Sequence, residues 1–420
     1  MKIIKITTCI SSFSANEVFS NEELLIEIFL HLPVKSLVRC KCVGKKWNYL
    51  IASPEFTRLR VPCFNSARGL ILHCSSFLIN PFNEFVPFTL ENPIQSPFHM
   101  LNFVDDPYGI RILQSCNGLL LCRSFRVHDQ PNGNYYVYNP TTQQFVTLPR
   151  LRGYRQTSKA VIGMKLAFDP WKSPHYKVVC IRMSDEVFPD DQHYQVDIYS
   201  SETKKWRVVG PPFLARYDIG FAYTGVYWNG AIYWECGDNS LRFNVEREMF
   251  EKFPMPSIGR SWDDDKESRV AYYGESCGYL HLVQVYSIKK LTFYNIYEMK
   301  NDGMEWYLKY QVNVEDVVNK FPHMIRHYHD STDWNYYLAM SVLCVVRGEK
   351  EEDTFMILHI PKMVIRYNLR DYTFYKLCEF GNNSIQENQF EDEDEDYEDP
   401  ISLQFNRFSA FQYIESLFCM

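Results

Sequence analysis

The feature that most restricts this chain is a short pattern that returns along most of its length. One copy runs Tyr138-Asn139-Pro140-Thr141-Thr142-Gln143-Gln144-Phe145-Val146-Thr147-Leu148-Pro149. A second runs Tyr199-Ser200-Ser201-Glu202-Thr203-Lys204-Lys205-Trp206-Arg207-Val208-Val209, and a third spans residues 243–254, from Phe243-Asn244 to Phe253-Pro254. Weaker copies stand at 79–88, 297–310 and 367–377. Each is a strand closing on an aromatic residue, a polar turn, and an aromatic residue opening the next strand. Side chains alternate along strands, so this is a β-hairpin with an aromatic pair facing across it. A second element precedes several copies: Asn117-Gly118-Leu119-Leu120, Asn229-Gly230-Ala231-Ile232-Tyr233-Trp234 and Cys277-Gly278-Tyr279-Leu280. Glycine there permits a tight turn into an apolar inner strand. About six such units at intervals of roughly 45–70 residues form a blade-like period. The pattern predicts an all-β, propeller-like domain over residues 66–420. A pair of packed β domains with unrelated hairpins is the alternative.

Other runs agree. Residues 119–122, 135–138, 176–181, 195–199, 225–234 and 279–286 are short, apolar or alternating, and bounded by Asn, Gly, Asp and Pro. The 29 Tyr and 30 Phe suit half-buried pleated surfaces. Residues 401–418 alternate around Phe405, Phe408, Phe411, Tyr413 and Leu417. A propeller removes its open edges by pairing its last strand with an early blade, so this segment is expected to close the domain. Before it lies an acidic insertion, 385–400, expected to be disordered because like charges repel. Its run 391–399 holds eight acids and no base. Removing those eight from the net charge of −7 leaves +1, so the rest lacks the basic field that nucleic-acid binding needs.

Residues 19–60 follow a different period, and residues 1–18 read as a flexible N-terminus. Ser20-Asn21-Glu22-Glu23 has the form of a capping box, with Ser20 as cap and Phe19 stapled to Leu24. Leu24, Leu25, Ile28, Phe29 and Leu32 then mark one helical face. Pro33 ends that helix and suits the first turn of a second, striped by Val34, Leu37 and Val38. Gly44 interrupts, and Trp47, Leu50 and Ile51 mark a third helix ending at Ser53-Pro54. Three helices in about 40 residues cannot bury this much apolar surface alone. The remainder belongs either to the rest of the chain or to a partner.

The run 24–47, with its core Leu32-Pro33-Val34-Lys35-Ser36-Leu37 followed by Arg39, Cys42-Val43 and Trp47, resembles the F-box of plant F-box proteins. The family's first Leu-Pro pair is replaced by Phe19-Ser20. Runs 115–120, 138–142, 167–170, 176–179 and 228–234 resemble the F-box-associated, kelch-like interaction domain of the same proteins. The resemblance covers roughly residues 19–320. It implies an α+β multidomain chain in which a small three-helix F-box precedes the propeller-like domain. It also implies a non-catalytic, substrate-recognition subunit of an SCF-type cullin–RING ubiquitin ligase. The F-box would bind a Skp-type adaptor, and through it cullin and a RING protein, by way of Leu24, Ile28, Leu32, Pro33, Val34, Leu37, Val38 and Trp47. The β domain would hold a target protein whose identity the sequence does not encode.

Catalytic constellations are not found in the sequence. It contains no P-loop, dinucleotide-binding glycine loop or nucleophile elbow. Its 13 cysteines are odd in number and follow no disulfide framework. Cys40 and Cys42 lack a second pair at zinc-ligand spacing, and Cys116 and Cys122 sit on apolar runs. His323, His327, His329 and Asp330 read as a solvated loop, so no metal or cofactor is expected. The start is too short and too charged for a signal peptide, and no stretch of 18 apolar residues spans a membrane. Cytoplasm or nucleus, or both, is the expected location. The rival class is a propeller enzyme or carbohydrate-binding protein whose helical module is only structural.

Overall fold

The computed structural model describes residues 18–60, 67–76, 79–89, 101, 103–106, 109–124, 133–151, 161–184, 193–215, 219–236, 240–256, 268–286, 292–300, 303, 305–326, 338–380 and 403–418. The expected flexible N-terminus (except Val18) and acidic insertion lie outside them.

Four short helices come first: α1 (Glu22–Leu30), α2 (Val34–Lys41), α3 (Lys45–Ala52) and α4 (Pro54–Arg60). The sequence reading stops at three. The third helix does end at Ala52, but Pro54 opens another. Proline fits a first turn, where its missing N–H is not needed, and Ser53 Oγ accepts from the Phe56 N–H at 3.1 Å. The cap of α1 also differs from expectation. Asn21, not Ser20, accepts from the N–H groups of Glu23 at 3.0 Å and Leu24 at 3.3 Å. Asn caps as well as Ser does, so residue type alone cannot choose between neighbours. In place of the expected staple to Leu24, the Phe19 ring lies 5.7 Å from that of Trp47.

The next two strands, β1 (Gly69–Ser76) and β2 (Ile79–Pro87), form a hairpin. Five four-stranded antiparallel meanders follow: β3 (Ile110–Cys116), β4 (Leu119–Ser124), β5 (Tyr135–Asn139) and β6 (Gln144–Thr147); β7 (Val161–Ala167), β8 (Lys177–Met183), β9 (His193–Ser200) and β10 (Lys205–Leu214); β11 (Val226–Trp228), β12 (Ala231–Trp234), β13 (Leu241–Asn244) and β14 (Met249–Lys252); β15 (Ser268–Ser276), β16 (Tyr279–Tyr286), β17 (Phe293–Met299) and β18 (Trp306–Asn313); β19 (Ser341–Val346), β20 (Phe355–Ile360), β21 (Met363–Asn368) and β22 (Phe374–Glu379). The last strand, β23 (Ala410–Tyr413), returns to pair antiparallel with β1, Gly69 opposite Tyr413 and Ile71 opposite Phe411. The strands β23, β3, β7, β11, β15 and β19 stand side by side around one axis. This is a six-bladed β-propeller, closed as the sequence predicts by its C-terminal strand.

The repeat has a physical basis. Its strong copies are the outer hairpins of three blades, and its aromatic pairs lie directly opposite: Tyr138–Phe145, Tyr199–Trp206, Phe243–Phe250 and, in a weaker copy, Tyr367–Phe374. The turn between them holds four residues in the first three, the last with positive φ (Gln143, Lys204 and Glu248), and five in the fourth, where Tyr372 has positive φ. In three of these turns an Asn ends the strand. Asn139, Asn244 and Asn368 each accept, through Oδ1, from the N–H groups two and three residues on. That Asx turn fixes the chain reversal. The Asn-Gly and Cys-Gly pairs at 117–118, 229–230 and 277–278 are two-residue turns with both φ values positive. They join the innermost strand to the second.

The core lies between blades rather than in one centre. Ile71, Phe411 and Tyr413 of the closing blade pack against Ile110, Ile112, Leu120 and Tyr136 of the next. Ile232, Trp234 and Phe243 pack against Val179, Ile181 and Val196. One ion pair is nearly buried within a blade, Arg182 Nε to Asp197 Oδ2 at 2.6 Å.

Candidate interaction surfaces

The helical module has a core of its own. Leu25, Phe29, Leu37, Leu50, Ile51 and Phe56 are buried together. Arg60 Nη1 donates to the carbonyls of Phe29 at 3.2 Å and Leu30 at 3.1 Å, satisfying the end of α1 and tying α4 to it. With Leu25 and Phe29 inward, α1 turns Leu24 and Ile28 outward, 47% and 46% exposed. These two are one helical turn apart on the same face.

Of the eight residues predicted for adaptor contact, Leu24, Ile28 and Pro33 are exposed, while Leu32, Val34 and Val38 are half-buried at the edge of the core. Leu37 is wholly buried in the module's own core, so it supports the face from behind. Trp47 is half-buried, with its ring edge-on to Phe29 at 5.1 Å. Periodicity assigns Leu37 to an apolar stripe but cannot say which side of the stripe looks inward. Val43, Tyr49 and Leu59 are also largely exposed and were not predicted.

The module sits on one rim of the propeller, and the C-terminal tail is the link. Leu417 is buried in the helical core, and Lys41 Nζ donates to its carbonyl at 3.0 Å. Asn139 Nδ2 donates to the carbonyls of Ser416 at 3.0 Å and Phe418 at 2.9 Å. The Ser416 N–H donates to Thr141 Oγ1 at 3.1 Å, and Phe418 packs on Phe168 at 4.7 Å. A Cβ at position 118 would fall 2.5 Å from Ser416 Cβ, so the glycine of that turn also admits the tail. These turns share one rim because strand direction alternates in every blade. The opposite rim carries the links between blades, where Tyr223 (63% exposed) and Phe408 (43%) face one another at 6.2 Å. They flank a cavity of about 140 Å³ on the propeller axis.

Residues 72–323 match the family described as the F-box associated beta propeller domain, and residues 21–59 match the F-box domain. The F-box protein At5g07610 of Arabidopsis thaliana is 34% identical over 97% of this chain and 94% of its own length. The chain belongs to the F-box proteins that carry an associated β-propeller.

Two further Arabidopsis relatives are the putative F-box protein At1g71320, 26% identical over 84% of this chain and 97% of that one, and the F-box protein DOR, 28% identical over 56% and 60%. Among solved structures, a chain of the nidogen/laminin complex aligns over 75% of this chain and 94% of that one at TM-score 0.35 and 8% identity. The F-box of this family implies, in general, a Skp-type adaptor. The F-box match spans the helices that carry Leu24 and Ile28, and the propeller match covers blades two to five. Cys116 and Cys122 are buried and form no disulfide. Among the described residues no group of His, Cys, Asp or Glu is arranged to hold a metal ion. His323 is described; His327, His329 and Asp330 lie outside the described residues. Residue-level reasoning passed over Lys165, Tyr273 and Arg407, which line the axial cavity. Each is a single polar residue within or beside an apolar run, and only the closure of the ring brings them together.

Proposed function

We propose that this F-box protein is the substrate-recognition subunit of an SCF-type cullin–RING ubiquitin ligase, acting in the cytoplasm, the nucleus or both. The observation that carries the reading is the division of α1 into two apolar sides. Leu25 and Phe29 fill the module's own core, whereas Leu24 and Ile28, like Pro33, are exposed. Exposed apolar residues on one helical face fit burial by a partner, here a Skp-type adaptor. The helical module occupies one rim, which leaves the other, with Tyr223 and Phe408 at the axis, to hold a target protein. The chain itself does no bond chemistry. It raises the effective concentration of target lysines near a charged ubiquitin-conjugating enzyme.

The test is reconstitution. The full chain, mixed with Skp-type adaptor, cullin and RING protein, should elute as one complex and should support ubiquitin transfer to proteins captured on the propeller. A full chain that neither co-elutes with the adaptor nor promotes transfer to any captured protein sinks the reading.

A further inference from the structure

The axial cavity is lined by strands of five blades, β3, β7, β11, β15 and β23, and by the segment entering β23. Lys165, on β7, is 2% exposed, yet its side chain lines this cavity. Its Nζ donates to the Tyr223 carbonyl at 3.3 Å. An ammonium has three N–H groups, so two have no partner among the described residues. No described carboxylate lies within ion-pair distance of it. Position 225 makes room for the side chain: a Cβ there would fall 2.7 Å from Lys165 Cε, and Gly225 takes φ +142°, where other residues rarely go. On β15, Tyr273 also lines this cavity, and its hydroxyl oxygen is buried with no hydrogen-bond partner among the described residues.

The other charges at the cavity leave it positive. Arg407 has its Nη2 3.7 Å from Glu235 Oε2 and its Nη1 bonded to the Val270 carbonyl at 3.0 Å, so its charge is balanced. Glu275, near the helical-module end, accepts from the Gly278 N–H at 2.6 Å. Burial raises its carboxyl to about 7, which leaves it only partly charged at neutral pH. Burial alone lowers the Lys165 ammonium, to about 8, so it stays mostly charged there. A desolvated cation with spare donors is costly unless an opposite charge joins it.

We propose that the propeller axis binds a carboxylate, whose two oxygens accept from Lys165 Nζ and Tyr273 Oη. Such charge-assisted hydrogen bonds are the strong ones. The volume limits the ligand: a cavity of about 150 Å³ takes one benzene ring, so 140 Å³ suits an acid of that size or the end of a glutamyl side chain. The exposed rings of Tyr223 and Phe408 at the mouth give the rest of the ligand an aromatic surface. The site stands independently of adaptor binding, because it lies on the axis and the adaptor face lies on α1.

Titration calorimetry on the full-length protein tests this with four probes: benzoate, benzylamine, benzyl alcohol and the peptide acetyl-Gly-Glu-Gly-amide. Benzoate or the peptide should bind with Kd of about 1 mM or tighter, and the amine and alcohol at least about tenfold more weakly. The tighter of the two carboxylates identifies the source as a free acid or as an acidic side chain of a polypeptide. Lys165→Met should remove binding while leaving the unfolding temperature unchanged or higher. Tyr273→Phe, which keeps the ring, should weaken it by about three- to tenfold. If both carboxylates are silent, if amine or alcohol binds as well as they do, or if binding survives both substitutions, the proposal is overturned.

Discussion

Lys41 Nζ, at the end of α2, donates to the carbonyl of Leu417, three residues before the C-terminus, at 3.0 Å. The same Leu417 side chain completes the F-box core, while Ser416 and Phe418 on either side of it are bonded to Asn139 of the propeller. One short segment therefore closes the propeller and holds the F-box on it. F-box and propeller are joined by packing as well as by the linker at 61–66, which lies outside the described residues.

Leu417→Ala is expected to destabilise the F-box by about 2–5 kcal/mol, the range for a large-to-small change in a core. The propeller, whose closing strand ends at Tyr413, should keep its stability. Hydrogen exchange read separately for α1–α4 and for β1–β23 checks this: faster exchange confined to the helices is the expected outcome. Faster exchange confined to the strands would mean that the tail is part of the propeller core alone.

Leu24→Asp with Ile28→Asp should abolish capture by a Skp-type adaptor and leave the unfolding temperature nearly unchanged, since both positions are about half exposed. Leu37→Ala should lower stability by about 2–5 kcal/mol, because that side chain is fully buried. Adaptor pull-down alongside a thermal melt separates the two effects. Undiminished capture by the double aspartate variant would place the adaptor on another face.

Asp197→Ala should be among the most damaging single changes in the propeller. It leaves the Arg182 guanidinium nearly buried without its carboxylate, with a remaining bond from Nη1 to the Met183 carbonyl at 3.2 Å. Breaking a buried pair from one side costs about 3–5 kcal/mol. Replacing both residues, Arg182→Met with Asp197→Leu, should cost less than Asp197→Ala. Urea titration of the two variants beside the unchanged protein decides it, and equal losses would show that the pair is not strongly coupled.

Stability should fall on mild acidification. Burial lowers the imidazoles of His73 and His359 to about 4 and that of His281 to about 3, against 6.5 in the unfolded chain. Between pH 6.5 and 4 the unfolded chain therefore binds more protons than the folded one, and stability drops as pH falls. Glu275 opposes this: its carboxyl, raised to about 7 from 4.5, takes up its proton in the fold first and adds stability over that range. Three groups against one leave a net loss on the order of 3 kcal/mol from pH 7 to pH 5. Urea midpoints at the two pH values measure it, and His281→Gln should shrink the difference. A midpoint that rises at pH 5 would contradict the sign.

The sequence alone determined the local elements and their repetition. Aromatic pairs across a polar turn specify hairpins, because side chains opposite each other on adjacent strands must touch, and Asn-Gly specifies a reversal through its φ preferences. The apolar stripe and the Leu-Pro-Val-Lys-Ser-Leu run likewise marked the F-box. These signals depend on residues a few positions apart. Only the tertiary structure decided which side of the α1 stripe is core, because Leu24 and Leu25 are equally apolar and the choice rests on what Phe29, Leu37 and Phe56 offer to pack against. Only it decided that Leu417, more than 350 residues away in sequence, belongs to the F-box. Lys165 and Tyr273 are the clearest case: each is one polar residue in or beside an apolar run, and they share a cavity because six blades close around one axis. Local pattern specifies blades, and the closure of the ring by β23 against β1 creates the surfaces that lie between them.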